Sequence, residues 1–368
     1  MSMIIGIPKE SLPGEARVAM SPDVAMKLGG KGFRLCLESG AGLEAGYHDD
    51  DYVAAGVEIV DRATALGSDL VVKVRKPTGE EVASMREGAL YIGFLETCDE
   101  DDEILQAMFG KRIRPLAMER IPRISRAQSM DALSSQSNIA GYRAAIEAAA
   151  RYGRFFPLMM TSAGSVKPAR VVILGAGVAG LQAIATAKRL GAEVYAYDIR
   201  PETREQIESL GAKPIELDLG EEGSGEGGYA RELSDEAKAR QQQLLADELA
   251  RAHVIITTAL IPCRPAPVLV TESVVKRMRE GSVIVDLAAA NGGNCPLTEA
   301  DEVVRRHGVI LVGHTNYPSM MAGDASTFYA NNIANLLAIM VEKQGDELVL
   351  KDLDEDEITH AALVKPTA

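Results

Sequence analysis

The sequence predicts an α/β protein with two Rossmann-like doubly wound domains, mostly parallel sheets, separated by a cleft. A length of 368 residues fits two domains. Short apolar runs alternate with helical segments along the chain, which is typical of βαβ units and a parallel sheet. A glycine motif between a strand and a helix begins a second series of such units.

The first domain opens on "MIIGIP", an apolar run ended by a proline, which predicts a buried strand. "SPDVAMKLGGKG" predicts a helix with Ser21 as its N-cap and Pro22 in its first turn. The runs "FRLCLES", "SDLVVKV" and "GALYIGFL" predict further strands with helical segments between them. The same alternation continues through "EILQAMFGKRIRPLAME".

From Asn138, "NIAGYRAAIEAAARYGRFF" predicts a long helix that links the two domains. Strands follow at "ARVVIL", "HVIITTALIP", "GSVIVDLA" and "GVILVGHTN". "TFYANNIANLLAIMVEKQG" predicts a late amphipathic helix that returns to the first domain, and the acidic end is expected to be partly mobile. We therefore expect a first domain of residues 1–134 plus 318–368 and a second domain of residues 135–317.

The glycine-rich stretch "LGEEGSGEGGYARELSDEAK", which starts at Leu219, predicts a flexible loop. It could be a passive surface insertion or a lid over a ligand. Tyr229 at its edge favours a lid, since long loops in compact domains are often functional.

The net charge of −14 argues against nucleic acid, because phosphate backbones need a basic surface. The N-terminus lacks the pattern of a signal peptide, and no apolar run approaches the ~20 residues of a membrane helix. The four cysteines form no CxxC pair, so we expect no metal site. These features are typical of a cytoplasmic protein.

The motif "VVILGAGVAG" has the GxGxxG spacing at Gly175, Gly177 and Gly180, and the next strand ends at Asp198. This is the context of an NAD(H) fingerprint, in which the helix N-terminus faces the pyrophosphate. Asp198 favours NAD(H) over NADP(H), although the nearby Arg200 could weaken that preference. The expected contacts here are Gly175, Ala176, Gly177, Val178, Gly180, Asp198, Ile199 and Arg200.

A dehydrogenase that oxidises an alcohol or an amine needs a general base at the reacting carbon. Among the five histidines, His314 in "VGHTN" is the best candidate because it ends a strand, but a structural role is favoured. The polar stretch "RISRAQSMDALSSQSN", from Arg123 to Asn138, has no histidine, cysteine or glutamate.

The segments "IGIPKESLPGEARVAMSP", "KVRKP", "GAGVAGLQAIATAKRLGA", "TTALIP" and "GSVIVDLA" resemble one family over almost the whole chain. It comprises alanine dehydrogenase and the NAD(H)-binding component of proton-translocating nicotinamide nucleotide transhydrogenase. The positions that serve alanine dehydrogenase separate the two branches. Its substrate lysine is Arg75 here, its catalytic histidine is Glu96 and its active-site aspartate is Ala290, while only Arg17 is kept.

The stretch from Arg123 resembles the transhydrogenase loop that holds the nicotinamide end of the cofactor. The resemblance implies cofactor contacts at Gln128, Ser129, Met130, Asp131 and Ser134, with further contacts at Gln241 and Leu260. It also identifies "GGYA" as the end of a mobile lid. The residues assigned to the hydride step by this resemblance are Arg123, Gln128, Asp131, Ser134 and Tyr229, with Gly228 beside the last.

Hydride transfer between two nicotinamides moves no proton on or off a substrate, so a missing base is expected and ring alignment matters most. The resemblance implies a homodimer, an NADP(H)-binding beta component and a membrane-embedded proton-channel subunit. We expect a separate soluble subunit at the cytoplasmic face of the inner membrane, or a shortened form of a longer chain. The alternatives are an NAD-dependent amino-acid dehydrogenase and a non-catalytic NAD sensor.

Overall fold

The computed structural model describes residues 3–98, 102–217, 235–345 and 347–366, with the backbone alone for 235–239. The chain divides into two compact units. Unit 1 is formed by Met1–Ser137 and Pro318–Ala368, and unit 2 by Asn138–Tyr317. The first boundary falls inside a helix, three residues beyond the position expected from the sequence. Among the described residues, no helix combines the length and the apolar character needed to cross a bilayer.

The described part of unit 1 contains a six-stranded parallel sheet. Its strands are β1 (Ile4–Ile7), β2 (Arg34–Glu38), β3 (Glu58–Val60), β4 (Leu70–Val72), β5 (Leu90–Gly93) and β6 (Arg114–Ala117). The helices are α1 (Pro22–Gly30), α2 (Asp49–Ala54), α3 (Arg62–Leu66), α4 (Gly79–Ser84) and α5 (Glu103–Gly110), and α6 (Ala132–Arg151) crosses from unit 1 into unit 2. The order β3-β2-β1-β4-β5-β6 reverses direction between β1 and β4, where α/β proteins place their ligands.

Unit 2 begins with an antiparallel hairpin of β7 (Met159–Thr161) and β8 (Gly164–Val166). Its main sheet has β9 (Arg170–Leu174), β10 (Glu193–Tyr197), β11 (Lys213–Pro214), β12 (Val254–Thr257), β13 (Val283–Asp286), β14 (Val303–Arg306) and β15 (Val309–Val312). The helices are α7 (Val178–Arg189), α8 (Thr203–Ser209), α9 (Asp235–Ala250) and α10 (Glu272–Arg277). The order is β11-β10-β9-β12-β13-β15-β14, with β14 antiparallel, and it reverses between β9 and β12.

Side chains of β9 alternate between two separate cores. Val171 and Ile173 pack in one, and Val172 and Leu174 pack in the other. Since successive residues of a strand point to opposite faces, both faces of this sheet are covered. The predicted doubly wound α/β fold is therefore confirmed.

The last segment of the chain belongs to unit 1. It forms α11 (Ala322–Met340), the antiparallel strands β16 (Val341–Gln344) and β17 (Glu347–Leu350), and α12 (Glu357–Ala362). The predicted late helix is present, with Ile333, Leu336 and Leu337 fully buried. The prediction of a mobile acidic end is wrong for the described residues. Ile358 and Ala362 are buried in the unit 1 core, because apolar residues at helical spacing outweigh the surrounding charge.

Two local predictions need correction at helix starts. Ser21 occupies the N-cap position of α1, but its buried hydroxyl makes no capping bond. The linking helix α6 begins at Ala132, six residues before the predicted start at Asn138. Asp131 caps it, since its carboxylate accepts a hydrogen bond from the Ser134 N–H at 2.9 Å.

Candidate functional site

The glycine motif of unit 2 forms the turn between β9 and α7. Gly175 has a φ of +96°, which only glycine adopts readily. A Cβ on Gly180 would lie 1.8 Å from the carbonyl oxygen of Gly175, so the helix packs directly on the turn. A Cβ on Gly177 would meet nothing within 4 Å. The turn thus leaves open space at the start of α7, where the first free N–H groups of a helix bind anions.

Asp198 follows the end of β10 and fixes this turn. Its Oδ2 accepts a hydrogen bond from the Ala176 N–H at 2.7 Å, and its Oδ1 accepts one from the Arg200 N–H at 2.9 Å. The Arg200 guanidinium also donates to both oxygens, at 3.0 and 2.9 Å. Burial acts to raise the pKa of Asp198, but these hydrogen bonds outweigh it and hold the pKa below its usual range. The carboxylate is therefore ionised, as a ribose acceptor must be.

Three apolar residues predicted to contact the cofactor are exposed in unit 2. Ile199 is 83% exposed, Leu260 51% and Val178 41%. Each lies just beyond the carboxyl end of a strand or at the N-terminus of α7, where a dinucleotide would cover it. Gln241 on α9 donates to the Tyr197 hydroxyl at 2.9 Å, so its side chain is held beside the end of β10.

The turn has the steric and electrostatic features of a dinucleotide-binding site. Thr258, after β12, donates to the carbonyl oxygens of Leu174 and Gly175 at 3.1 Å, which fixes the switch point between β9 and β12. Space at Gly177, the helix N-terminus and an ionised Asp198 are the three features that the NAD(H) fingerprint requires.

In unit 1, the stretch predicted to hold a nicotinamide forms a short 3-10 helix, Ser125–Met130, ahead of α6. Two contacts fix it. The Ser129 carbonyl accepts hydrogen bonds from Asn332 and Asn335 of α11, at 2.9 and 3.1 Å. The Arg126 guanidinium donates to both carboxylate oxygens of Asp356, at 2.7 and 2.9 Å.

The predicted residues of this stretch differ in what their side chains can do. Arg123, Gln128 and Ser129 are exposed and can meet a ligand. Met130 is buried in the unit 1 core, so a contact from it would have to come from its backbone. Asp131 and Ser134 act as one group, because the Ser134 hydroxyl donates to Asp131 Oδ2 at 2.6 Å.

Two further predicted residues, Gly228 and Tyr229 of the expected lid, lie outside the residues that the structure describes. The rest of the expected set falls into two groups. The glycine turn, Asp198, Arg200, Gln241 and Leu260 lie on unit 2, whereas Arg123 to Ser134 lie on unit 1.

Buried ion pairs occupy the switch point of unit 1, and no local pattern in the sequence predicts them. Lys73 follows β4, is fully buried, and donates to both oxygens of Glu81 at 2.7 and 2.8 Å. Glu10 follows β1 and accepts a hydrogen bond from the Val74 N–H at 2.6 Å. Burial raises the pKa of Glu10 to about 7, although the Lys73 charge opposes this.

A second buried group joins Glu15 to two arginines. Arg17 donates to both Glu15 oxygens, at 2.7 and 2.6 Å, and to Gln136 Oε1 at 2.8 Å. Arg75 donates to Glu15 Oε2 at 2.9 Å, and its Nη1 lies 3.9 Å from Glu96 Oε1. Both arginines are thus already paired with Glu15.

No histidine of the described residues sits as a base beside the glycine turn. His314 Nε2 is buried without a hydrogen bond and lies 3.6 Å from Glu147 Oε1, while the ring packs edge-on against Tyr317. The structural role favoured by the sequence fits this environment.

These features define a two-unit α/β protein with a Rossmann-type dinucleotide-binding turn. The N-terminal and C-terminal domains of the family described as "Alanine dehydrogenase/PNT" match residues 6–140 and 144–365. The chain belongs to the alanine dehydrogenase/PNT family, and the resemblance seen in the sequence is confirmed.

Among its relatives is a Rhodospirillum rubrum protein, named as the first portion of NAD(P) transhydrogenase subunit alpha, 51% identical over 96% of this chain and 94% of the relative. A solved structure of transhydrogenase from Sinorhizobium meliloti matches with a TM-score of 0.87 and 43% identity, over 98% of this chain and 97% of that one. A solved L-alanine dehydrogenase matches with a TM-score of 0.80 and 29% identity, over 98% and 94%. Similarity is thus higher on the transhydrogenase side of the family.

Proposed function

We propose that this chain is the NAD(H)-binding component of a proton-translocating NAD(P) transhydrogenase. In this function, hydride passes directly between NAD(H) on this chain and NADP(H) on a partner component. The 51% identity to a transhydrogenase subunit supports the proposal.

The observation that carries the proposal is the Glu15 ion pair with Arg17 and Arg75. An amino-acid dehydrogenase must anchor a substrate carboxylate and remove a proton. Arg17 is almost fully buried and already donates to Glu15 and Gln136, so a substrate carboxylate would have to enter a space that these partners fill. The corresponding histidine and aspartate are Glu96 and Ala290, so the proton acceptor is also replaced.

The residues of unit 2 then serve to bind rather than to react. The turn at Gly177 and the N-terminus of α7 receive the pyrophosphate, and Asp198 accepts hydrogen bonds from the adenosine ribose. Ile199 and Leu260 bury apolar surface against the bound nucleotide. NAD(H), when bound, supplies or accepts the hydride.

The residues of unit 1 serve to orient the nicotinamide. Gln128 and Ser129 are exposed on a 3-10 helix that is anchored through Arg126 and α11. Neutral hydrogen-bonding groups can fix a carboxamide and a ribose without exchanging protons. Hydride transfer between two nicotinamides requires alignment and short distance, not a base.

The partners follow from the same proposal. They are an NADP(H)-binding beta component, a membrane-embedded proton-channel subunit and a second copy of this chain in a homodimer. The complex would place this chain at the cytoplasmic face of the inner membrane.

The decisive experiment adds the purified chain to membranes that contain the other components but lack this one. We expect hydride transfer from NADH to an NADP⁺ analogue only when this chain is present. Absence of stimulation would count against the proposal. NAD⁺ reduction by alanine, measured with the chain alone, would favour an amino-acid dehydrogenase, while NADH binding with neither activity would favour a sensor.

A further inference from the structure

Unit 2 contains a cavity of about 290 Å³ that the proposed function does not use. It lies at the amino ends of the parallel strands. His253 directly precedes β12, and Ser282 directly precedes β13. We call it the basic cavity; the lining residues that matter here are Arg151, Arg154, His253, Arg279, Ser282 and Arg305.

The basic cavity is positive in a protein whose net charge is −14. Four arginines line it, against one carboxylate, that of Glu280. Arg305 lies 3.9 Å from Glu280, which is a weak pair between exposed groups. Among the described residues, no carboxylate lies within 4 Å of the Arg154 or Arg279 guanidinium. The positive charges of Arg154 and Arg279 are therefore available to solvent or to an anionic ligand.

Two N–H donors face the ring nitrogens of His253, which can accept from only one of them. The Arg170 backbone N–H points at His253 Nδ1 at 2.9 Å, and Arg279 Nη1 lies 3.2 Å from Nε2. A neutral imidazole accepts at one nitrogen only. If Nδ1 accepts from the backbone, Nε2 carries the proton and faces the Arg279 donor. An oxygen atom within hydrogen-bond distance of both Nε2 and Arg279 Nη1 would satisfy both donors.

The imidazole is held in a neutral, fixed state. Burial lowers the pKa of His253, and the Arg279, Arg154 and Arg170 charges lower it further. The Tyr152 ring stacks on it, with centroids 5.9 Å apart and an interplanar angle of 21°. The Nε2–H is thus a neutral donor of fixed direction.

Ser282 adds a second polar group without a partner. The residue is 1% exposed and lines the cavity, and its buried hydroxyl has no hydrogen-bond partner among the described residues. A buried polar group without a partner costs about 1–3 kcal/mol, so such groups usually have a ligand or a water. Hydrogen-bond donors, positive charge and a cavity therefore coincide at this place.

We propose that the basic cavity binds a phosphate group, either as free phosphate or as part of a phosphorylated small molecule. Guanidinium groups bind phosphate oxygens through paired, charge-assisted hydrogen bonds. His253 Nε2 and Arg279 share one oxygen, and Arg154 provides a second cation. Arg151, which already donates to Glu147 at 2.8 Å, contributes a more distant charge.

This site is separate from the dinucleotide turn. Arg170 begins β9 and contacts His253, whereas Gly175 immediately follows the other end of the same strand. The five residue steps from Arg170 to Gly175, at about 3.3 Å each, place these two residues roughly 16 Å apart. Saturating the glycine turn with NADH should therefore leave the basic cavity accessible.

Calorimetric titration of the full chain, saturated with NADH, tests the proposal with inorganic phosphate and with glycerol 2-phosphate. We expect binding of at least one of them, and Arg279→Gln should weaken it by about tenfold or more, the value of a charge-assisted hydrogen bond. The matched control is Arg86→Gln, which removes an exposed arginine paired with Asp69 in unit 1. That control should bind as the wild type does.

Tighter binding of glycerol 2-phosphate would identify the ligand as a phosphorylated small molecule. Tighter binding of inorganic phosphate would identify it as the free ion. Equal affinity of wild type and Arg279→Gln, or no heat with either ligand at millimolar concentration, would overturn the proposal. Arg154→Gln provides a second test if Arg279→Gln does not fold. Nitrogen NMR of His253 supplies an independent signal, because the Nε2–H resonance should shift on addition of the ligand.

Discussion

The guanidinium of Arg17 and the carboxylate of Glu15 form a bidentate ion pair, in which Nε donates to Oε1 at 2.7 Å and Nη2 donates to Oε2 at 2.6 Å. Both side chains are almost fully buried. They are two residues apart in the sequence, and Arg75 joins them from the end of β4. This contact occupies the switch point of unit 1, where an α/β protein would otherwise take a ligand.

Replacement of Glu15 by Gln should destabilise the protein by about 3–5 kcal/mol, because the buried charge of Arg17 would lose the carboxylate of Glu15. Urea unfolding measures the change. The exposed pair of Arg112 with Glu87 provides the control, and Glu87→Gln should cost less than about 1 kcal/mol. Equal losses in the two variants would mean that Glu15 contributes no more than a surface carboxylate.

Gly177→Ala and Gly180→Ala should separate binding from folding. A Cβ on Gly177 meets nothing and its φ of −78° suits alanine, so stability should change by less than about 0.5 kcal/mol while NADH binding weakens. A Cβ on Gly180 meets the Gly175 carbonyl at 1.8 Å, so stability should fall as well. Thermal unfolding and NADH fluorescence report the two effects. Unchanged NADH affinity in Gly177→Ala would place the pyrophosphate elsewhere.

Asp198→Asn should weaken NADH binding about tenfold or more and reduce the preference over NADPH. The amide cannot accept on both atoms from Ala176, Arg200 and a ribose, and the released Arg200 would attract a 2′-phosphate. Titrations with both nucleotides measure the ratio. Asp247→Asn makes the same chemical change at an aspartate of α9 that pairs with Arg277, and it should leave the ratio unchanged.

Gln128→Asn should leave NADH affinity unchanged and slow hydride transfer in the reconstituted complex, because only the nicotinamide end would be misplaced. Stopped-flow measurement of single turnovers is the suitable assay. Gln344→Asn makes the same chemical change on the hairpin β16–β17 and should transfer hydride normally. A wild-type rate in Gln128→Asn would remove this residue from the transfer step.

Glu10 should make stability depend on pH. Its pKa of about 7 in the folded protein exceeds the ordinary 4.5, so the folded state binds more protons and this group's contribution falls as pH rises from about 4.5 to 7. Relative to wild type, Glu10→Gln should therefore gain stability over that range, and the difference should level off above about pH 7. Unfolding curves at several pH values test this, and a constant difference would contradict it.

The sequence predicted the fold class because apolar runs and turn residues are local signals. The glycine turn and Asp198 were found for the same reason. The pairing of Arg75 with Glu15 was not found, because it joins residues 60 positions apart and no local pattern encodes it. The C-terminal helix α12 was mistaken for a mobile end because its acidic neighbours hide two core positions, Ile358 and Ala362.

The basic cavity could not be predicted from the sequence for a different reason. Its lining comes from segments around Arg151, His253, Arg279 and Arg305, each an ordinary surface charge in the sequence. Only the fold brings the end of α6, the residues before β12 and β13, and the strand β14 together. The loop residues Arg123 to Ser134 were identified by resemblance, but their anchoring by Arg126 and by Asn332 required the fold.

Unit 1 is formed by two segments of the chain that lie before and after unit 2, and this affects the order in which the two units can fold. Helix α11, with Tyr329 and Ile333 fully buried, supplies some of the unit 1 core but is synthesised after the whole of unit 2. Domains fold as they leave the ribosome, usually from the N-terminus onward. Here unit 2 is completely synthesised first. Residues 1–137 therefore expose apolar surface until residues 318–368 have been synthesised and can cover it. A nascent chain stalled near residue 317 should therefore recruit chaperones through its N-terminal portion.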